Sequence, residues 1–274
     1  MKLSVNLQSI DRRKCEMMNT KFKLSDIMLS WSIPIIALVV WYITTLHQTS
    51  MSLLPTPGAV CEATMRLLQN GTLINNIGIS TARAGVGFII GGIIGFILGV
   101  INGQFRLAEQ ILNTPIQMIR NVPHLAMLPL ILIWFGIGET AKIVLISLGT
   151  FFPIYLNTFH GIRYIDRSLI EMGRTYGLTH YQLFKDIIFP GAMASIMIGV
   201  RQSLGRMWLT LIVAETVAAK SGIGFMATDA REFMLMDVIV LSLLIYALLG
   251  SISDFVAGLV EQKILRWHSN YRKA

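Results

Sequence analysis

Six long apolar runs separated by short polar stretches limit what this chain can fold into more than any other feature. They cover Ile27–Leu46, Ala84–Ile101, Pro123–Ile137, Ala141–Phe159, Gly191–Ala214 and Met236–Val260. A helix needs roughly 20 apolar residues to cross the hydrocarbon core of a bilayer. Inside that core every backbone N–H and C=O must find its partner within the protein, which favours helices for such runs. Only 14% of the 274 residues are charged, against about 25% in a typical soluble protein, and the mean hydropathy is +0.62. The expected fold class is therefore an all-α membrane protein, a polytopic bundle of about six transmembrane helices. Pro129 interrupts the third run, and Arg201 and Arg206 lie within the fifth.

The charge distribution sets a topology. With the N-terminus inside, sixteen Lys and Arg residues fall on the cytoplasmic side, in segments 1–26, 102–121, 160–190 and 261–274. Five fall on the opposite side: Arg66, Arg83, Lys142, Lys220 and Arg231. This asymmetry follows the positive-inside rule and places both termini in the cytoplasm. The net charge of +8 is thus explained by orientation in a membrane and calls for no nucleic-acid partner.

Residues 1–26 form a basic cytoplasmic segment, residues 27–262 the transmembrane domain with a cytoplasmic loop at 163–190, and residues 263–274 a cytoplasmic tail. The first apolar run is too long for a cleaved signal peptide and is not followed by a small-residue cleavage site, so it reads as a retained helix. Leu54-Pro55-Thr56-Pro57 makes a stiff break, and residues 58–70 read as an amphipathic helix on the outer face. Cys15 and Cys61 fall on opposite sides of the membrane and cannot pair within one chain. Gly87, Gly91, Gly95, Gly99 and Gly103 recur at every fourth position, which lines one helix face with backbone and invites close approach by a neighbouring helix.

The 163–190 loop carries the spacing E-x5-G-x9-I-x2-P through Glu171, Gly177, Ile187 and Pro190. Asp166 or Ser168 can cap a short helix there, with Glu171 three residues after Ser168 as a possible capping box. Gly177 suits the left-handed position that ends such a helix. Thr179 and Gln182 repeat the capping-box spacing and open a second helix, on which Tyr181, Phe184, Ile187 and Ile188 share a face. Pro190 marks a break before the fifth run. The expected product is a compact helix–turn–helix at the membrane surface, rigid enough to transmit movement.

This constellation resembles the loop by which permease subunits of ATP-binding-cassette (ABC) importers dock on their ATPase, E-A-A-x3-G-x9-I-x-L-P. Met172 and Gly173 stand for the two alanines and Phe189 for the leucine. The stretch Arg120-Asn121-Val122-Pro123-His124 and the run Pro129 to Glu139 look like the sulfonate, taurine and nitrate branch of that family. Phe152-Pro153-Ile154-Tyr155 and His160-Gly161-Ile162-Arg163 are similar to aliphatic-sulfonate permeases, and Ala214-Glu215-Thr216 and Ser221-Gly222-Ile223-Gly224 also suit the branch. The resemblance covers residues 50–262. It implies a type I importer permease fold in a bacterial inner membrane, a homodimer, two ATPase subunits and an extracytoplasmic solute-binding protein. ATP binding would turn the pathway outward and hydrolysis would reset it inward. The implied cargo is an aliphatic sulfonate, with taurine, nitrate or a related small anion as the near alternative.

Charges inside the spans are the candidates for a substrate pathway. An arginine at the bilayer centre costs about 2.5–3.5 kcal/mol on the insertion scale and is by default a functional candidate. Counted at 1.5 Å per residue from Pro190, Arg201 lies roughly 16 Å and Arg206 roughly 24 Å along the fifth span. Five residues turn a helix by about 140°, so the two cannot face one pore together. One could pair with Glu215 or reach backbone carbonyls.

His47, His124, His160, His180 and His268 lack metal-ligand spacing, and the chain contains no G-x4-G-K-[S/T] phosphate loop. No nucleophile–base pair and no intramembrane pair of carboxylates is evident. The chain is therefore expected to be no enzyme, to hold no metal or cofactor, and to draw ATP hydrolysis from a separate subunit. An ATP-independent transporter or channel is the rival from another class; it leaves the loop spacing without a purpose.

Overall fold

A computed structural model of the chain describes residues 32–45 and 54–267. The expected N-terminal segment, both ends of the first span, Cys15 and most of the tail lie outside the described residues. Contacts divide the chain into two units, Met1–Glu62 and Ala63–Ala274. In the first, Trp41 of helix α1 (Ser32–Thr45) donates from Nε1 to the Pro55 carbonyl at 3.0 Å. Helix α2 (Pro57–Gln69) follows.

The second unit is a helical bundle. Its long members are α3 (Thr72–Gln104), α6 (Glu139–Arg163), α9 (Phe189–Ala218) and α11 (Met236–Ile264). Between them lie α4 (Arg106–Asn121), α5 (Leu128–Phe135), α7 (Arg167–Thr175), α8 (His180–Leu183) and α10 (Ile223–Glu232). Among the described residues four helices are long and apolar enough to cross a membrane.

Helices α3 and α6 run parallel with a constant register. Cβ atoms on Gly87, Gly99 and Gly103 would come within 2.5–2.8 Å of Ile146, Thr158 and Ile162, partners that advance in step with the glycines. On Gly95 a Cβ would lie 2.6 Å from the Phe151 carbonyl oxygen, and on Gly91 it would overlap the Ser147 carbonyl oxygen. The stripe thus serves close packing, and Ser147 Oγ donates to the Gly87 carbonyl at 3.1 Å across the same seam. Helix α9 packs antiparallel to α6, with Ala192 and Ile196 against Ile162. At the opposite end Ala214 meets Ala141, Leu145, Leu128 and Ile131.

The third expected span needs correction. Residues 123–137 form no straight crossing helix: α4 and the segment His124–Phe135 meet at 83°. The cause is local. Pro123 holds Val122 extended (φ −75°, ψ 124°), since a residue before proline avoids the helical region. The chain resumes as a short 3-10 turn, His124–Met127, and Gly136 at φ 76° ends α5. Twelve helical residues reach only ~18 Å, short of the ~30 Å core.

Candidate functional site

The loop expected at 163–190 folds as two capped helices with their ends tied. The Ser168 N–H donates to Asp166 Oδ1 at 2.9 Å, and this bond holds the Asp166 carboxyl below its ordinary range. Asp166 alone is the cap; Ser168 lies inside α7, so the Ser168–Glu171 box is not formed. Glu171 is exposed. At the far end the Leu178 N–H donates to the Gly173 carbonyl at 3.1 Å and the Gly177 N–H to the Arg174 carbonyl at 2.9 Å. These two bonds are the Schellman pattern, which requires the left-handed conformation seen at Gly177 (φ 76°).

Helix α8 opens with the expected box. The Thr179 N–H donates to Gln182 Oε1 at 2.9 Å, and the Gln182 N–H donates to Thr179 Oγ1 at 3.3 Å. Gly173 is buried between the two helices: a Cβ there would lie 2.7 Å from Ile187 Cδ1 and from Leu183 Cδ1. The departure from the family alanine is therefore a close-packing glycine, and Ile187 is its counterpart. Tyr181 is 72% exposed and does not join Phe184, Ile187 and Ile188 on their half-buried face.

Pro190 does not break the chain. His180–Ala218 is one continuous helix of 39 residues, with a π turn at Phe184–Ile188 in which the Phe189 N–H reaches the Phe184 carbonyl. Proline tolerates the first turn of a helix, and the widened turn upstream relieves the clash its ring would meet in an α-helix interior. The capped turn and the expected fifth span are one element.

At the other end of the bundle an ionic cluster joins five helices, α3, α6, α9, α10 and α11. Glu215 is 1% exposed, and its carboxylate accepts from Arg83 Nη1 at 2.7 Å, Ser80 Oγ at 2.8 Å, the Gly224 N–H at 2.9 Å and Tyr246 OH at 3.0 Å. Arg83 also forks onto Glu139 (Nη2 to Oε1, 2.6 Å) and reaches the Ser221 carbonyl and hydroxyl at 2.6 and 2.9 Å. Lys142 Nζ donates to Glu139 Oε1 at 2.7 Å. A Cβ on Gly222 would overlap the Glu215 carboxylate, and one on Gly224 would lie 2.6 Å from Glu215 Cβ. The glycines of Ser221-Gly222-Ile223-Gly224 are thus the space into which Glu215 folds.

Two sequence expectations are corrected here. Arg83 and Lys142, counted only as charges of the side opposite the cytoplasm, are 5% and 3% exposed and lie within α3 and α6. Helix α3 starts at Thr72, twelve residues before the apolar run, because Asn76, Ser80 and Arg83 turn inward to this cluster. Glu215 pairs with Arg83 rather than with Arg201 or Arg206.

Arg201 is held by α11. Its Nε and Nη2 donate to the two oxygens of Asp254 at 3.0 and 2.9 Å, and Nη1 donates to Glu261 at 3.2 Å. Sequence reasoning missed this pair, although seven residues set Asp254 and Glu261 on one helix face, two turns apart. Arg206 is exposed on α9 and makes no hydrogen bond or ion pair among the described residues. One turn further, Thr210 Oγ1 lies 3.2 Å from His124 Nε2.

A helical bundle of membrane-crossing length, with a rigid capped turn built into one end of a span, defines a membrane permease component. The chain belongs to the family of binding-protein-dependent transport system inner membrane components, whose model matches residues 91–266. It is 52% identical over 242 residues to the provisionally named aliphatic sulfonates transport permease protein SsuC of Escherichia coli, covering 88% of this chain and 92% of that protein. The SsuC protein of Bacillus subtilis, with the same provisional name, is 38% identical over 240 residues, 87% of each chain. An amino acid ABC transporter crystallised with histidines shares the fold at a TM-score of 0.61, with 18% identity, 73% of this chain and 97% of the other covered. The type I importer permease fold and the multi-pass membrane location follow.

Proposed function

We propose that this chain is the permease of an ATP-driven importer of aliphatic sulfonates. It works as a homodimer with two ATPase subunits and an extracytoplasmic solute-binding protein, its termini in the cytoplasm. The observation that carries the coupling half is the docking turn. Glu171 stands exposed on a helix capped at both ends, and that helix is wedged through Gly173 and Ile187 against the base of the 39-residue helix. Movement imposed on Glu171 therefore has a stiff route into the bundle. The half concerning cargo rests on the likeness to the SsuC proteins.

For the substrate path, Arg206 is the favoured residue of Arg201, Arg206 and Glu215. The other two are engaged in ion pairs. Ile198, Gln202, Arg206, Leu209 and Thr216 form an exposed stripe along α9, a face that a second copy can meet to enclose a path. An unpaired cation on that path gives a sulfonate a transient partner without holding it tightly.

The test is ATP-dependent uptake of labelled ethanesulfonate into proteoliposomes carrying the complete transporter. Uptake that needs ATP and resists taurine and nitrate, and that falls to background in Glu171→Ala, is the expected result. Blockage by taurine or nitrate changes the cargo. Uptake indifferent to ATP and to Glu171 overturns the reading.

A further inference from the structure

The coupling end of the bundle contains a cavity of about 540 Å³ between the end of α3, the start of α4 and the two helices of the docking turn. Arg106, Arg163, Arg167, Arg174 and His180 line it, and no carboxylate does. Glu109 neutralises Arg163 at 2.8 Å. Arg106, Arg167 and Arg174 make no ion pair among the described residues. Like charges gathered around one concavity repel, and an anion within it relieves the repulsion.

Apolar space adjoins this chamber across Phe184. Phe184 is also a wall of a second cavity of about 380 Å³, formed mostly by Phe96, Ile97, Val100, Ile101 and Phe189. Phe96 and Ile97 in turn wall a third, of about 500 Å³, which runs between α3, α6 and α9 as far as Ile89. From Ile101 to Ile89 the trough follows α3 for ~18 Å, close to one leaflet of a hydrocarbon core ~30 Å thick. Ile89, Ile93 and Ile97 are 56%, 54% and 49% exposed, on the face of α3 away from the glycine stripe.

We propose that chamber and trough together bind one anionic phospholipid, with its phosphate among Arg106, Arg167 and Arg174 and an acyl chain along α3. Charge complementarity selects the headgroup, since basic pockets beside membrane helices suit anionic lipid heads. The shared apolar walls select a lipid over a free anion. The site lies apart from the α9 stripe and is independent of which cargo is carried. Its lipid head bridges the docking turn and the α3–α4 corner.

Native mass spectrometry of the assembled transporter in detergent tests the site without any transport assay. Phosphatidylglycerol and phosphatidylcholine of identical chains are titrated separately. Retention of phosphatidylglycerol at a concentration at least tenfold lower is expected, unaffected by millimolar inorganic phosphate. Arg106→Gln is expected to weaken it about fivefold, the share of one basic residue, and Ile97→Trp, which fills the trough, to weaken it further. Equal retention of the two lipids overturns the proposal, and needs no variant to fold. Displacement by phosphate alone reduces the chamber to an ion site, and unchanged retention in Ile97→Trp removes the acyl chain from the trough. Crosslinking of an Ile97→Cys variant to another protein helix means that protein covers the trough, and the proposal falls.

Discussion

Arg83 Nη1 donates to Glu215 Oε1 at 2.7 Å, and both side chains are buried. One guanidinium thereby joins α3 and α9, and through Glu139 and Ser221 it also joins α6 and the turn before α10. Such a pair stabilises little against a well-packed apolar pair, but losing one member strands a buried charge.

Removal of either partner is therefore expected to be severe. Arg83→Met or Glu215→Leu should each cost about 3–5 kcal/mol, read as a large fall in thermal stability of the detergent-solubilised protein. The double variant should be less damaged than the sum of the two. Strict additivity in that cycle would show that the two side chains do not act as a pair.

The α3–α6 seam predicts a contrast between two glycines six residues apart. Gly91→Ala places a methyl against the Ser147 carbonyl and Thr150, backbone and short side chain that cannot step aside; overpacking of this kind costs about 1–3 kcal/mol. Gly85→Ala meets nothing within 4 Å and should be neutral or slightly stabilising. Thermal unfolding of the two variants side by side decides it.

In the capped turn at 166–190, Gly173→Ala should be tolerated, because the atoms its Cβ would meet are the ends of the flexible Ile187, Leu183 and Leu178 side chains. Gly177→Ala should not: it forces a Cβ into the left-handed region, at about 1–2 kcal/mol. Uptake per molecule at equal membrane abundance should fall only in the second. Loss in both would place a further constraint on Gly173.

Arg201→Lys tests the fork on α11. Three guanidinium nitrogens serve two carboxylates, a geometry an ammonium does not reproduce. The lysine variant is expected to melt close to Arg201→Gln and below wild type. A wild-type melting point would mean that charge alone suffices.

Arg206→Gln should behave in the opposite way. With no partner to strand, its thermal stability should match wild type, while half-saturation for ethanesulfonate rises several-fold. Lowered stability with unchanged transport kinetics would return Arg206 to a structural role.

What the sequence reveals here depends on whether a signal is local. Asp166, Gly177, Thr179 and Gln182 act within their own turn, so spacing predicts their roles. Pro190 was legible only as a breaker, because the π turn that accommodates it needs the neighbouring Phe184–Ile188 geometry. Arg83 counted only as an outer-side charge because apolarity marks where a helix can face lipid, and Asn76, Ser80 and Arg83 face Glu215 and its turn instead. Their partners are 132–146 residues away in the chain, beyond any periodicity. Asp254 and Glu261 stood at a spacing that shares a face, and the arginine that spans them gave the signal its meaning.

The continuity of His180–Ala218 has a mechanical consequence. A rod of 39 residues is ~58 Å long, so pivoting it by about 5° at its base sweeps the far tip through ~5 Å, nearly one helical pitch. Arg206 stands about two thirds of the way up and would sweep ~3 Å in the same stroke. Under the proposed coupling no hinge inside the membrane would be needed: leverage alone would enlarge a slight rocking at the base of the helix into a displacement on the scale of a gate.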